Sequence, residues 1–190
     1  MVLDFIARGW LRLWRWHTVA GDEPIPERCV VIAAPHTTNW DFPITLAMAR
    51  VTGVRISWLG KDSLFKGPMG PVMRRLGGVA VDRSAPGGMV AALANELTTR
   101  PQLRLVVPAE GTRSRTEYWK SGFYRIAQQA EVPIVLAYVD RSTRSGGFGP
   151  AIEVTGDMRA DMDRIREFYA GKTGLKDGRV GPIRLKEEDA

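Results

Sequence analysis

The stretch Cys29-Val30-Val31-Ile32-Ala33-Ala34-Pro35-His36-Thr37-Thr38-Asn39-Trp40-Asp41 decides how the rest of the chain is read. Its first six residues are apolar and rich in β-branched side chains, which predicts a buried strand. After Asp41 the apolar positions change period. Phe42, Ile44, Thr45, Leu46, Met48 and Ala49 recur at helical spacing, and Pro43 is tolerated in a first turn. His36 and Asp41 cannot pair within one helix, because five helical residues turn the chain by about 500° and leave the two side chains roughly 140° apart. They can pair if His36 sits on the turn and Thr38 or Asn39 caps a helix that carries Asp41 in its first turn. A carboxylate there is favoured by the helix N-terminus and can hold an imidazole in one tautomer. The other ring nitrogen is then a candidate general base. The plainer alternative is an ordinary capping charge near an unrelated histidine, and the spacing alone does not separate the two.

Upstream, residues 1–17 read as an amphipathic helix, and the N-terminal helical segment is bounded at residue 20. Leu3, Ile6, Trp10, Leu13, Trp14 and His17 recur on one face, and Arg8, Arg12 and Arg15 on another. Such a helix either lies in a membrane interface or docks its stripe on its own domain with the arginines solvated, and both can hold at once.

Downstream, Arg55–Leu59 predicts a second strand. Two short helical pieces follow, broken by Gly67-Pro68 and Gly70-Pro71. Val79–Val81 is a third strand ending in Asp82-Arg83. Met89, Val90, Leu93 and Leu97 mark a helix that ends by Pro101. Leu103–Val107 is a fourth strand, ending in Pro108-Ala109-Glu110-Gly111-Thr112-Arg113-Ser114. A helix opens at Lys120, Pro133–Val139 is a fifth strand, and Gly146–Gly149 marks a loop. Ile152–Val154 predicts an edge strand, Ala160–Tyr169 a last helix, and residues 172–190 an irregular tail. Strands alternating with helices predict a single α/β domain over residues 1–190: a mostly parallel sheet flanked by helices on both faces, with the amphipathic N-terminal helix added.

At 190 residues and 44% hydrophobic content, the chain is long and apolar enough for one sizeable core. The single cysteine, Cys29, excludes an intramolecular disulfide and reads as a core hydrophobe. The sequence shows no signal peptide and no apolar run near the ~20 residues that span a bilayer. This predicts a cytoplasmic protein. The net charge of +6 favours anionic partners. Charge alone would suit a nucleic-acid binder, but no recognition motif supports one.

Ligands in such sheets bind beyond the carboxyl ends of the strands, and three strands here end in polar groups: His36 and Asp41, Asp82-Arg83, and Glu110 to Arg113. Arg83 and Arg113 can each offer a fork to phosphate. Gly111 permits close backbone approach and Thr112 supplies a hydroxyl. Glu110 either orients Arg113, accepts from a substrate hydroxyl, or forms a structural ion pair. No G-x-S-x-G elbow, P-loop, G-x-G-x-x-G or zinc-like cluster is present.

With these motifs in order, the chain resembles the glycerolipid (lysophospholipid) acyltransferase family, whose members include 1-acylglycerol-3-phosphate acyltransferases. His36-Thr37-Thr38-Asn39-Trp40-Asp41 resembles its H-x4-D motif, and Gly78-Val79-Ala80-Val81-Asp82-Arg83 its second motif. Glu110-Gly111-Thr112-Arg113-Ser114 resembles E-G-T-R-S, and Val132-Pro133-Ile134-Val135 the V-P-I-V motif. The resemblance implies transfer of a fatty acyl group from an acyl-CoA or acyl-carrier-protein thioester to the hydroxyl of a lysophospholipid. His36 would be the base and Asp41 its orienter. Arg83, Arg113 and Lys120 would hold the acceptor's phosphate, and Lys61 would stabilise the oxyanion. It implies no cofactor beyond the acyl donor, no metal, no nucleic-acid partner, and an anionic membrane surface on the inner face of the cell membrane as the place of work. The alternative is a peripheral lipid-binding protein of the same fold without turnover.

Overall fold

A computed structural model describes residues 2–21, 23–60, 62–80 and 88–189. Its strands are β1 (His17–Val19), β2 (Arg28–Ala33), β3 (Ser57–Gly60), β4 (Gly78–Ala80), β5 (Leu103–Val107), β6 (Ile134–Asp140) and β7 (Ser145–Ile152). They form one sheet in the order β1-β7-β6-β2-β5-β3-β4. Strands β2 to β6 run parallel. β7 is antiparallel to β6, and β1 pairs parallel with β7.

The helices are α1 (Val2–Leu13), α2 (Asp41–Val51), α3 (Gly70–Arg75), α4 (Gly88–Thr99), α5 (Gly122–Ala130) and α6 (Met158–Tyr169). The period-2 geometry of β2 divides them between the two faces. Val30 and Ile32 point into a core built with Leu93 and Leu97 of α4, Phe123 and Ile126 of α5, and Met162 and Ile165 of α6. Cys29 and Val31 point the other way, against Ala49 of α2, Ile56 and Phe148. A strand buried on both faces has no polar side, which is why β2 reads as a continuous apolar run. Cys29 is wholly buried there, and burial pushes its thiol up to about 12, far from a thiolate at neutral pH.

Two expectations are corrected. The N-terminal helix ends at Leu13, and His17 opens the edge strand β1 instead of completing a helical stripe. What docks α1 is Leu11, buried against Ile44, Met48 and Val139, whereas Leu13 and Trp14 of the expected stripe stay exposed. The second correction concerns Gly146–Gly149. These residues are not a loop but part of β7, which lies inside the sheet between β6 and β1, so the edge strand expected over Ile152–Val154 is replaced by an interior strand that ends at Ile152. Their composition answers to packing: a Cβ on Gly146 would overlap Met48 Sδ, one on Gly147 the Val19 carbonyl, and one on Gly149 the Phe168 ring.

The sheet order also positions the polar residues. β2 and β5 are neighbours, so the segments that leave their carboxyl ends, 34–41 and 108–114, open side by side. Beyond α6 the chain has no further helix or strand up to Leu185, which bridges to Trp119, and a 3₁₀ turn at Lys186–Asp189.

Candidate active site

The turn after β2 is organised by one carboxylate. Asp41 stands at the first position of α2 and is almost fully buried. Its Oδ2 accepts from the main-chain N–H groups of Thr37 and Thr38, both at 2.7 Å, and lies 3.0 Å from His36 Nδ1. Thr38 Oγ1 accepts from Trp40 N at 3.0 Å, which closes the turn into the helix. The chain bends through an Ala34–Pro35 cis peptide just before His36. Local sequence therefore does what the spacing requires: His36 stays outside the helix and Asp41 is drawn inside its first turn. With Nδ1 donating to the carboxylate, Nε2 carries the lone pair and has no partner among the described residues.

His36 lines a cavity of about 420 Å³ whose other walls include Ala34, Phe42, Trp58, Leu59, Val106 and Tyr138. The cavity runs between α2 and the sheet as far as Ile56. Its lining is mostly apolar, with His36, Asn39, Asp41 and Thr45 among the polar members. A single unengaged basic nitrogen on the wall of an apolar cavity suits proton abstraction from a substrate with a hydrocarbon portion.

The neighbouring loop meets this turn in two places. Glu110 Oε1 accepts from His36 N at 2.8 Å, so the glutamate holds the histidine's backbone. It does not orient Arg113, whose guanidinium donates instead to Asn39 Oδ1. Glu110 is nearly buried, and its Oε2 has no partner among the described residues. Burial, opposed by the His36 N–H bond, pushes its carboxyl above the usual carboxylate range. Behind it, the buried Tyr169 hydroxyl shares a bond between the Ile32 and Ala137 carbonyls at 3.0 and 2.9 Å. Burial first, and then the Glu110 charge, hold that phenol well above its ordinary value.

Gly111 takes φ +65°, and a Cβ there would press to 2.8 Å from Lys120 Cγ. Only glycine lets the Lys120 stem lie along the loop. Lys120 N donates to Ala109 O at 2.8 Å, tying that lysine to the loop. Thr112 Oγ1 accepts from Ser114 N at 3.2 Å. The structure thus brings together His36, Asp41, Glu110, Gly111, Thr112, Arg113 and Lys120. Lys61 and Arg83 lie outside the described residues.

In the sequence Asn39 and Thr37 read only as a possible cap and a spacer, yet both tie the turn to distant segments. Thr37 Oγ1 accepts from Leu175 N and Lys176 N at 3.0 and 3.1 Å. Arg179 Nη1 reaches the carbonyls of Thr37 and Arg113. No motif marks these tail residues, and no local signal could have found them.

The comparisons bear on this arrangement in different ways. No curated protein sequence matches the chain. Among solved structures, the 1-acyl-sn-glycerophosphate (LPA) acyltransferase PlsC from Thermotoga maritima superposes with a TM-score of 0.57 at 17% identity, covering 87% of this chain and 74% of that one. At that identity the likeness is one of fold. The family model described as Acyltransferase matches residues 17–139, more than half of the chain, from β1 through the His36–Asp41 turn and the Glu110–Arg113 loop to β6. With that match over the same segments that build the site, the chain belongs to the acyltransferase family.

Proposed function

We propose that the protein transfers a fatty acyl group from an acyl-CoA or acyl-carrier-protein thioester to the hydroxyl of a lysophospholipid such as 1-acylglycerol-3-phosphate. The observation that carries this reading is the His36–Asp41 pair, at 3.0 Å, on the wall of the apolar cavity. His36 Nε2 takes the acceptor's hydroxyl proton as its oxygen attacks the thioester carbonyl. The tetrahedral adduct collapses, the C–S bond breaks, and the imidazolium returns the proton to the leaving thiolate. Acyl group and proton both come from the two substrates, so the chemistry calls for no cofactor beyond the donor. Asp41 stabilises the imidazolium at the moment it forms. The cavity beneath His36 suits an acyl chain. Arg113 and Lys120 stand beside the turn as ligands for the acceptor's phosphate. The roles of Arg83 in phosphate binding and Lys61 at the oxyanion rest on the motif resemblance.

The place of work in this reading is an anionic membrane surface, approached from the cytosolic side. No described helix is long and apolar enough to cross a membrane. On α1 and just beyond it, Phe5, Leu13 and Trp14 are 81%, 78% and 57% exposed, and Arg8, Arg12 and Arg15 are exposed as well. Aromatic and leucine side chains beside arginines suit the interface between headgroups and acyl chains.

Purified protein with palmitoyl-CoA and a panel of lysolipids tests the reaction. Turnover should appear with a phosphate-bearing lysolipid and vanish in His36→Ala. Arg113→Ala should raise KM more for lysophosphatidate than for monoacylglycerol. Lipid binding without turnover on any acceptor or donor would favour a non-catalytic lipid carrier instead.

A further inference from the structure

Residues 173–180 lie across the site as a strap, beyond the segment that the family model matches. Gly174 sits on the His36 turn so closely that a Cβ would press on Thr37 Cγ2 at 2.9 Å and Pro35 Cβ at 3.2 Å. The strap is anchored on both sides. Thr173 Oγ1 donates to Asp140 Oδ1 at 2.7 Å, and Leu175 N and Lys176 N donate to Thr37 Oγ1. At its far end Arg115 Nη1 donates to Val180 O at 2.6 Å.

Between those anchors, one nitrogen of Arg179 does something different. Its Nη1 carries two hydrogens, and they go to two carbonyls from different loops: Thr37 at 3.1 Å and Arg113 at 3.2 Å. Thr37 follows His36, and its own N–H donates to Asp41 Oδ2, so its peptide belongs to the base's support. Arg113 donates its guanidinium to Asn39, on the same turn. The two loops are therefore joined three times: by the Glu110 carboxylate at His36 N, by the Arg113 side chain at Asn39, and by Arg179 through the main chain.

We propose that Arg179 is a positioning residue for acyl transfer: it sets the place of Arg113 relative to His36 and thereby the distance between the bound phosphate and the base. This rests on the reading of Arg113 as a phosphate ligand and His36 as the base. Arg179 itself need not touch the substrate. Its loss leaves the strap anchored at Thr37, Asp140 and Val180, so the fault is confined to the gap between the loops. A misplacement of about 1 Å in such a gap can cost on the order of 10²-fold in rate.

The test compares Arg179→Met, Arg179→Lys, Arg113→Met and the Arg113→Met/Arg179→Met double variant, with palmitoyl-CoA as donor and lysophosphatidate or monoacylglycerol as acceptor. Arg179→Met should lower kcat/KM for lysophosphatidate by about 10–100-fold, and more than for monoacylglycerol, without a matching fall in melting temperature. Arg179→Lys should recover much of the loss, since an ammonium can still donate to both carbonyls. The double variant should be no more than about threefold worse than Arg113→Met, because Arg179 acts through Arg113. Independent, multiplying losses would overturn the proposal, as would wild-type kinetics in Arg179→Met or a loss that Lys does not relieve and that tracks melting. Hydrogen exchange separates this from the function itself. If the wild type turns over neither acceptor, the acyltransfer reading falls. Faster exchange at residues 36–41 and 110–115 alone in Arg179→Met would still support the staple, and unchanged exchange there would sink it.

Discussion

Replacing Asp41 by asparagine isolates the charge at the centre of the site. Oδ2 accepts from Thr37 N and Thr38 N at 2.7 Å and faces His36 Nδ1 at 3.0 Å, so all three donors converge on one oxygen. An asparagine oxygen can take that place and keep all three, while its NH₂ takes the place of Oδ1, 3.4 Å from Thr38 Oγ1. The turn and the imidazole tautomer then survive, and what disappears is the negative charge beside the imidazolium. At about 4 Å and an effective dielectric near 20, that attraction is worth ~4 kcal/mol. A full imidazolium in the rate-limiting step would make it about 10³-fold, and a partial one about 10²-fold. Asp41→Ala should do worse, because it leaves the buried Thr37 N–H without an acceptor, at ~1–3 kcal/mol, and the half-buried Thr38 N–H as well. Thiol release from palmitoyl-CoA, followed with a chromogenic disulfide at saturating lysophosphatidate, gives kcat directly. The His36→Ala and His36→Ala/Asp41→Asn enzymes should be equally slow, since the carboxylate acts only through the imidazole. A kcat for Asp41→Asn within tenfold of wild type, or a double variant clearly slower than His36→Ala alone, would refute the reasoning.

Glu110→Gln keeps an acceptor for His36 N and removes a buried charge. Burial raises the Glu110 carboxyl above its ordinary value of 4.5, so the native fold favours the protonated form. Its contribution is present below that value and is lost as pH rises through the folded pKa. The melting temperature of Glu110→Gln relative to wild type should therefore climb as pH rises above the ordinary carboxylate range, and a flat difference would count against it. Leu11→Ala should cost about 2–5 kcal/mol in urea unfolding, because Leu11 is 3% exposed against Ile44, Met48 and Val139. A loss below ~1 kcal/mol would mean that α1 is held by other contacts, such as the Asp4–Arg50 ion pair at 2.6 Å. Phe5→Ser/Leu13→Ser/Trp14→Ser changes only exposed side chains, so stability should hold while sedimentation with anionic vesicles drops. Wild-type binding should also weaken with salt, since screening at 0.1 M acts over about 10 Å. Equal vesicle binding by both proteins would remove α1 from the membrane reading.

The sequence carried the site wherever chemistry and local structure coincide. The apolar run of β2 and the helical spacing after Asp41 put His36 on the turn, and the structure brings the two side chains to 3.0 Å. The ends of β2 and β5 were legible as ligand-facing because their polar residues follow apolar runs directly. Illegible were features whose cause lies across the sheet. Gly146, Gly147 and Gly149 look like loop residues because glycine marks turns and close packing alike, and only the third dimension shows Met48, Val19 and Phe168 against them. The pattern does not single out Leu11, because the alternative stripe through Trp10, Leu13 and Trp14 has a similar spacing. Arg179 carries no pattern at all: it is one cation among 27 Lys and Arg residues, and its two acceptors are main-chain carbonyls.

That last contrast follows from how the site is assembled. The Asp41 bonds to Thr37 and Thr38 span three or four residues and can form with the turn itself. The bond from His36 to Glu110 spans 74 residues and depends on the pairing of β2 with β5. Those from Leu175 and Arg179 to Thr37 span 138 and 142, so they depend on the chain beyond α6 returning across the sheet. Each longer-range layer acts on the same few peptides around His36 as the local one. A substitution in the tail can therefore reach the base without touching substrate. Tail lesions should lower turnover while leaving the sheet intact, whereas a lesion at the β2–β5 pairing would remove both together.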